Sequence, residues 1–499
     1  MAVGRRAVTG GPNATPRLRL DTLGRRASGG AFTPPAVDPR ALRVGVVHLG
    51  IGAFHRAHQA VFTELAMAAD GRDDWGIAGV TQRSASVRDQ LMPQDNLYSV
   101  LERGPGAEPP HVVGSVREVL HGAGDPTAVV DRIADPAVRV VTLTVTEKGY
   151  RRDGTGRLDR SDPEVAADLA GRPPRTVVGQ LVRGLQRRAA GAAGPVTVLS
   201  CDNLVGNGEV LRGLVHDFLD ALPGAEAGPL AEWLAASVRF PSSMVDRIVP
   251  ATTDDDRADV RTALGLDDRG VVVAEPFRQW VIEDDFAADR PAWDLAGAVF
   301  TGDVAAWESV KLRMLNATHS LLAYLGALRG HDTIAAALAD DELAATAEAL
   351  MIEDVTPTLR VPDGLDLAGY RRQVLERFAN PALRHRTVQV AMDGSQKLPV
   401  RLLGTVRDRL AAGAVPRQAA LAVAAWMVYV AKGRDARGRE LPLDDPLADR
   451  LKVAAAAGVG DSKRLVDSLL HIEEIFGADL PEHDGFRDVL IDHVARLTA

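Results

Sequence analysis

Leu42-Arg43-Val44-Gly45-Val46-Val47-His48-Leu49-Gly50-Ile51-Gly52-Ala53-Phe54-His55-Arg56-Ala57-His58 is the stretch whose reading decides the fold. Leu42–Leu49 is rich in Val and reads as a buried strand, and a helical pattern runs from Arg56 to Ala69. A strand, a glycine turn and a helix in that order open a dinucleotide-binding fold. Gly50 makes the tight turn, and Gly52, with Ala53 and Phe54 after it, lets backbone amides approach a pyrophosphate at the helix start. His55 stands where the third glycine of GxGxxG would be, so this loop alone is a weak signal.

Working outward, Trp75–Thr81 reads as the second strand, followed by Gln82-Arg83-Ser84-Ala85-Ser86. An NAD site normally has an acid here to hold the ribose 2′-hydroxyl. None precedes Asp89, and Arg83 with Ser84 could accept a 2′-phosphate, so NADP stands beside NAD. Arg83 could equally stack on the adenine and discriminate nothing. Val138–Thr146 and Val196–Ser200 read as further buried strands. They end in Glu147-Lys148-Gly149-Tyr150 and Cys201-Asp202-Asn203, polar clusters at carboxyl ends of strands, where open α/β sheets bind ligands. Phe240–Pro250 reads as a loop with a buried Asp246–Arg247 pair, taken on chemistry alone as a structural salt bridge.

From about Glu308 the texture turns helical: Leu321–Leu328, Thr333–Met351, Tyr370–Phe378, Gln418–Val430 and Ser462–Phe476 are amphipathic and rich in Ala and Leu. The expected fold class is α/β. An irregular arm over 1–40 leads into a Rossmann-type domain over 41–300 and then a mostly α-helical domain over 301–499. At about 100° per residue, Lys311 at 0° shares a face with Glu308 near 60°, His319 near 80° and Asn316 near 140°. An amine, a carboxylate, an imidazole and an amide on one face suit a site that moves a proton and holds hydroxyls. Of 58 basic residues only six are lysine, so a lysine kept at 311 supplies an amine that can titrate where arginine cannot. The alternative is a snorkelling lysine at a helix edge. Arg384-His385-Arg386, with Lys397 beyond a glycine turn, could hold an anionic substrate group bidentately or be a solvated basic loop.

The bulk numbers exclude several classes. A net charge of −9 with no basic cluster gives no nucleic-acid footprint. The single cysteine, Cys201, rules out an intrachain disulfide and any CxxC site. No apolar run is long enough to span a membrane, and Met1 to Gly30 lacks the apolar core of a secretory signal, so a cytoplasmic protein is expected. His55 and His58 find no third metal ligand nearby, HExxH is absent, and no GxSxG elbow occurs.

Seven collinear pieces make the sequence similar to the mannitol dehydrogenase family of long-chain, zinc-independent polyol dehydrogenases. They are Gly50 to Gln59, Thr146-Glu147-Lys148-Gly149-Tyr150, Ser200-Cys201-Asp202-Asn203 and Met244 to Pro250, then Glu275-Pro276-Phe277, Lys311-x4-Asn316-x2-His319 and Asp393-Gly394-Ser395. The resemblance implies a Rossmann-type domain, a helical domain and a site in the cleft between them. It implies Lys311 as the catalytic general acid/base, Asn203 and Asn316 as carbonyl-polarising amides, and His319 as the substrate-orienting histidine. Glu308 and Glu147 would serve proton relay. Asp246 becomes a substrate-side acid, against the salt-bridge reading. Phe277 to Asp284, and Asn380-Pro381 through Arg384-His385-Arg386-Thr387 to Lys397, most resemble the hexuronate branch, which reduces D-fructuronate to D-mannonate. The added carboxylate would meet Arg384, Arg386 or Lys397. Rivals are a mannitol 2-dehydrogenase, a mannitol-1-phosphate 5-dehydrogenase and a non-catalytic nucleotide-and-sugar sensor. The implied partners are a small sugar acid or polyol and NAD, with no metal, nucleic acid or membrane, on a monomer or weak homo-oligomer.

Overall fold

Strands β1 (Val44–Leu49), β2 (Gly76–Thr81), β4 (Val140–Leu143) and β5 (Val196–Ser200) are buried at nearly every position. That continuous pattern belongs to parallel strands covered on both faces. With β3 (Val116–His121) and β6 (Val238–Arg239) they form one sheet in the order β3-β2-β1-β4-β5-β6. Every pairing in it is parallel. This is the doubly wound order, with its topological switch between β1 and β4. The computed structural model describes residues 15–24 and 31–499. They divide into two compact units between Val304 and Ala305, and the sheet belongs to the first.

His48 is the polar exception on β1. Its Nδ1 lies 2.7 Å from Thr142 Oγ1 and its Nε2 2.8 Å from Thr144 Oγ1, so the strand's one imidazole is satisfied across β1 and β4. Its ring stacks on His55 with centroids 3.4 Å apart. Two three-stranded sheets flank the main one: His111–Val113, Tyr98–Glu102 and Val272–Ala274 form the first, and Ser243–Asp246, Gln279–Glu283 and Val299–Thr301 the second.

Several local expectations change. The helix expected from Arg56 is two helices, α1 (Ala53–Ala57) and α2 (Gln59–Asp70). His58 between them leaves helical geometry (φ −126°, ψ −88°), and its Nε2 binds the Gln279 carbonyl at 2.8 Å. The expected strand Val138–Thr146 shortens to β4, because Val145 and Thr146 give their N–H groups to the Asp202 carboxylate. The loop expected at Phe240–Pro250 contains Ser243–Asp246, paired antiparallel with Gln279–Glu283. Arg247 takes Glu102 as its carboxylate partner at 2.6 Å. Of the expected arm, residues 1–14 and 25–30 lie outside the described residues. Leu18 and Leu23 are buried against Leu97, Val260 and Leu264, and Thr33 forms a bridge with His111.

The second unit is helical. The division of the chain falls within α3 (Val304–Val310), which runs through a π-helical turn, Lys311–Asn316, into α4 (Ala317–Arg329). Further helices are α5 (Leu367–Phe378), α6 (Arg417–Lys432) and α7 (Asp484–Thr498). α6 is buried almost all round, and its alanines at 419, 420, 422, 424 and 425 let α4 and α7 pack closely on it. Thr333–Met351, expected as one helix, is interrupted at Asp340, whose carboxylate caps the amides of Glu342 and Leu343.

Burial lowers the His48 pKa to about 3, so the folded protein keeps this ring neutral while the unfolded chain protonates it near pH 6.5. The stability tied to the neutral ring is therefore intact above about pH 6.5 and is lost progressively as pH falls towards about 3, by about 2 kcal/mol at pH 5. Urea unfolding at pH 7.5 and pH 5 should show a smaller acid loss in His48→Gln than in the wild type, by about that amount. An equal loss in both proteins would refute the assignment.

Candidate active site

At the carboxyl end of β1 the backbone leaves no choice of residue at position 50. Gly50 has φ +106°, and a Cβ there would sit 2.1 Å from the Thr144 carbonyl oxygen. Gly52 is different: the nearest atom to an added Cβ is the Gly50 carbonyl oxygen at 3.8 Å. Nothing in the protein requires a glycine at 52, yet it stands exposed at the switch point, where a dinucleotide backbone passes close to the turn. The open cradle over Gly52 and exposed Ala53 fits that group. Phe54 is half-buried and stacks on His58 with centroids 5.0 Å apart. His55, in the third-glycine position, is fully buried with neither ring nitrogen hydrogen-bonded, and burial holds its pKa well below the ordinary 6.5. Arg83 is exposed beyond β2, its carbonyl accepting from His121 Nε2 at 3.2 Å.

Asp202 organises the neighbouring strand ends, a role not read in the sequence. Its carboxylate accepts from Val145 N at 2.9 Å, Thr146 N at 3.0 Å and the Tyr150 hydroxyl at 2.7 Å. Burial nonetheless raises its pKa, with those hydrogen bonds pulling the other way. It thereby ties the chain after β4 to the chain after β5. Glu147 and Asn203, the two candidates carried on those loops, are both exposed. Asp246 is buried at the end of strand Ser243–Asp246.

In the second unit Glu308, Lys311 and His319 are buried and Asn316 is half-buried. The expectation of a regular α-helix through Lys311 and Asn316 is corrected by the π turn, closed by the Ala317 N–H bond to the Leu312 carbonyl. An i→i+5 ladder takes more residues per turn, so the angle between Asn316 and Lys311 narrows below the roughly 140° of a regular α-helix. His319 follows three α-helical residues later, on the same side. Arg313, pointing outward from the wide turn, donates to Asp408 and to the Thr358 carbonyl, which anchors the turn from outside.

His319 stacks on Phe378 of α5 with centroids 4.8 Å apart and meets His385 edge-on at 4.7 Å. Its Nε2 is buried with no hydrogen-bond partner among the described residues. Burial, then the charges of His385, Arg401, Lys397 and Arg377, push its pKa well below 6.5, so it is neutral. Arg384 and Arg386 lie on the exposed side of the loop that turns His385 inward, and Arg386 lines a separate depression with Asp332, Asp435 and Arg439. The structure thus brings Lys397 towards His319, and with it Arg401, which the sequence reading missed. The available signal was its position, four residues after Lys397. Among the described residues no three His, Cys, Asp or Glu side chains gather as a metal site, and no helix is long and apolar enough to cross a membrane.

A doubly wound sheet with an open glycine cradle, followed by a helical unit bearing a buried lysine beside an amide and an imidazole, defines a dinucleotide-dependent oxidoreductase. The chain belongs to the mannitol dehydrogenase family: residues 44–295 match the mannitol dehydrogenase Rossmann domain and residues 303–498 the mannitol dehydrogenase C-terminal domain. It is 42% identical to the D-mannonate oxidoreductase of Escherichia coli (strain K12), across 91% of this chain and 93% of that protein. It is 36% identical to the mannitol 2-dehydrogenase of Pyrenophora tritici-repentis, across 91% of this chain and 79% of that one. The solved ternary complex of Pseudomonas fluorescens mannitol 2-dehydrogenase with NAD and D-mannitol superposes with a TM-score of 0.84 at 36% identity, over 97% of each chain.

The two glycines should separate on substitution. Gly50→Ala is expected to lose about 3 kcal/mol or more of stability through its positive φ and the Thr144 clash. Gly52→Ala should stay within about 0.5 kcal/mol of wild type while binding NADH about tenfold more weakly, a loss of about 1.4 kcal/mol. Thermal unfolding and NADH fluorescence titration read the two effects. Unchanged NADH affinity in Gly52→Ala would remove the cradle.

Proposed function

We propose that this enzyme interconverts D-fructuronate and D-mannonate with NAD as cofactor, Lys311 serving as general acid and base. What supports a sugar acid over a neutral sugar is the cationic setting of His319, whose surroundings include Arg401, Lys397 and Arg377. A neutral polyol can accept hydrogen bonds from these groups but brings no charge to offset theirs. The second reading, a mannitol 2-dehydrogenase, is favoured by the likeness to the complex with NAD and D-mannitol. That likeness also supports NAD over NADP.

Bound nicotinamide supplies hydride for reduction and accepts it for oxidation. Lys311 gives a proton to the developing alkoxide and takes it back in the reverse direction. The Asn316 amide, turned closer to Lys311 by the π turn, donates a hydrogen bond to the same oxygen, a contribution worth about 2.7–4 kcal/mol for one such donor. The neutral His319 offers Nε2 to a substrate hydroxyl. Glu308, one helical turn before Lys311, passes the proton onward. Asn203 as a second donor, Glu147 in the relay and Asp246 as a substrate-side acid enter this reading through the family resemblance. The enzyme so read is cytoplasmic and works as a monomer or weak homo-oligomer.

Lys311→Ala should lower kcat by about 10³-fold, the range of a lost acid–base group, while NADH affinity stays within about twofold. Near-normal turnover in this variant would end the assignment. Oxidation of NADH and of NADPH with D-fructuronate and D-fructose at equal concentration tests the substrate and cofactor. Faster turnover of D-fructuronate with NADH is expected, and a preference for D-fructose moves the enzyme to the mannitol reading.

A further inference from the structure

Arg401 feels the charge of Asp393 but, among the described residues, is in ion-pair contact with no carboxylate. Its Nη1 donates to Ser320 Oγ at 3.1 Å, and among the described residues it forms no other hydrogen bond and no ion pair. Several arginines of the helical unit are paired: Arg407 with Asp479, Arg439 with Asp435 and Asp332, and Arg487 with Asp467. The fully buried Arg188 of the first unit shows how a purely structural guanidinium is satisfied, giving its N–H groups to five backbone carbonyls. Arg401 is half-buried, and its enclosure is enough to lower its pKa, so it pays for desolvation with one neutral contact in return.

Lys397 repeats the pattern one turn earlier. Its ammonium donates to the carbonyls of Met392 at 2.5 Å and Val390 at 3.2 Å and, with Asp393, Asp444 and Asp445 in its surroundings, makes no ion pair among the described residues. Burial first, then Arg401, lowers its pKa to about 8. The backbone aims both residues at the reacting helix. Pro399 has no N–H to continue an α-helical ladder, and Pro399–Leu403 opens into a π turn that packs on the π turn Lys311–Asn316. Ser320, which anchors Arg401, directly follows His319 and lies on the Asn316 face of α4, four residues on.

We propose that Arg401 and Lys397, rather than Arg384 and Arg386, form the seat for the anionic end of the substrate, the carboxylate of an open-chain sugar acid. A guanidinium with free N–H donors receives a carboxylate in a fixed orientation, and the ammonium beside it adds charge. This seat rests on the hexuronate reading given above, and the two can fail separately.

The test is isothermal titration of the full-length, NADH-loaded enzyme with D-mannonate, D-mannitol and mannitol 1-phosphate. NADH blocks oxidation, so binding alone is read. The wild type should bind D-mannonate at least tenfold more tightly than D-mannitol, and Arg401→Gln and Lys397→Met should each collapse that ratio towards one. Arg401→Lys, which keeps the charge, should restore part of it. A ratio unchanged in both neutral variants, or a parallel loss of both ligands, overturns the seat; D-fructuronate turnover then judges the hexuronate reading independently. Tighter binding of mannitol 1-phosphate than D-mannonate, abolished in Arg401→Gln, overturns the carboxylate and the hexuronate reading together.

Discussion

The Thr144 carbonyl fills the place where residue 50 would carry a Cβ, and much of the first unit follows from that contact. It requires glycine at the end of β1 and brings the exit of β4 against the exit of β1. The same few residues then satisfy each other's polar groups: His48 with Thr142 and Thr144, and Asp202 with the amides of Val145 and Thr146. Buried polar groups cost little when all are paired and a great deal when one is not. The result is a rigid switch point with one open position, Gly52, where the protein leaves room it does not use itself.

The second unit obtains its geometry differently, by slipping a helix ladder by one residue. A regular helix would set Asn316 at the edge of the Lys311 face, and the π turn narrows the angle between them. The turn is held from outside by Arg313 and packs on another π turn at Pro399–Leu403. Two widened turns in contact are a way to converge side chains from separate helices without a loop.

How legible this was depends on the range of the signal. The parallel strands announced themselves because burial on both faces leaves a continuous apolar run. The residue types on the Lys311 face were legible, but their angular relation was not, since a single 100° period cannot register a one-residue slip. Thr333–Met351 read as one helix because Asp340 breaks it by capping rather than by composition. Arg384 and Arg386 stood out through local charge density, yet both are exposed. Arg401 carries no local signal beyond its place four residues after Lys397. Its meaning lies in Ser320 and His319, some eighty positions away in the chain, and in the lack, among the described residues, of an ion pair, which no sequence pattern displays.

That absence carries more information than a contact would. With 67 acidic residues against 58 basic ones, an ion pair for Arg401 and Lys397 would be easy to build. Adding one would quench the charge and stabilise the unit, at the cost of an anion-binding surface. Discrimination is strongest when a site is built to pair a substrate group and is left unsatisfied by an analogue lacking it. A cationic seat of this kind penalises a neutral polyol by leaving two half-buried charges without an ion-pair contact, while a sugar acid supplies one. The selectivity of the enzyme would then reside in what the fold declines to neutralise.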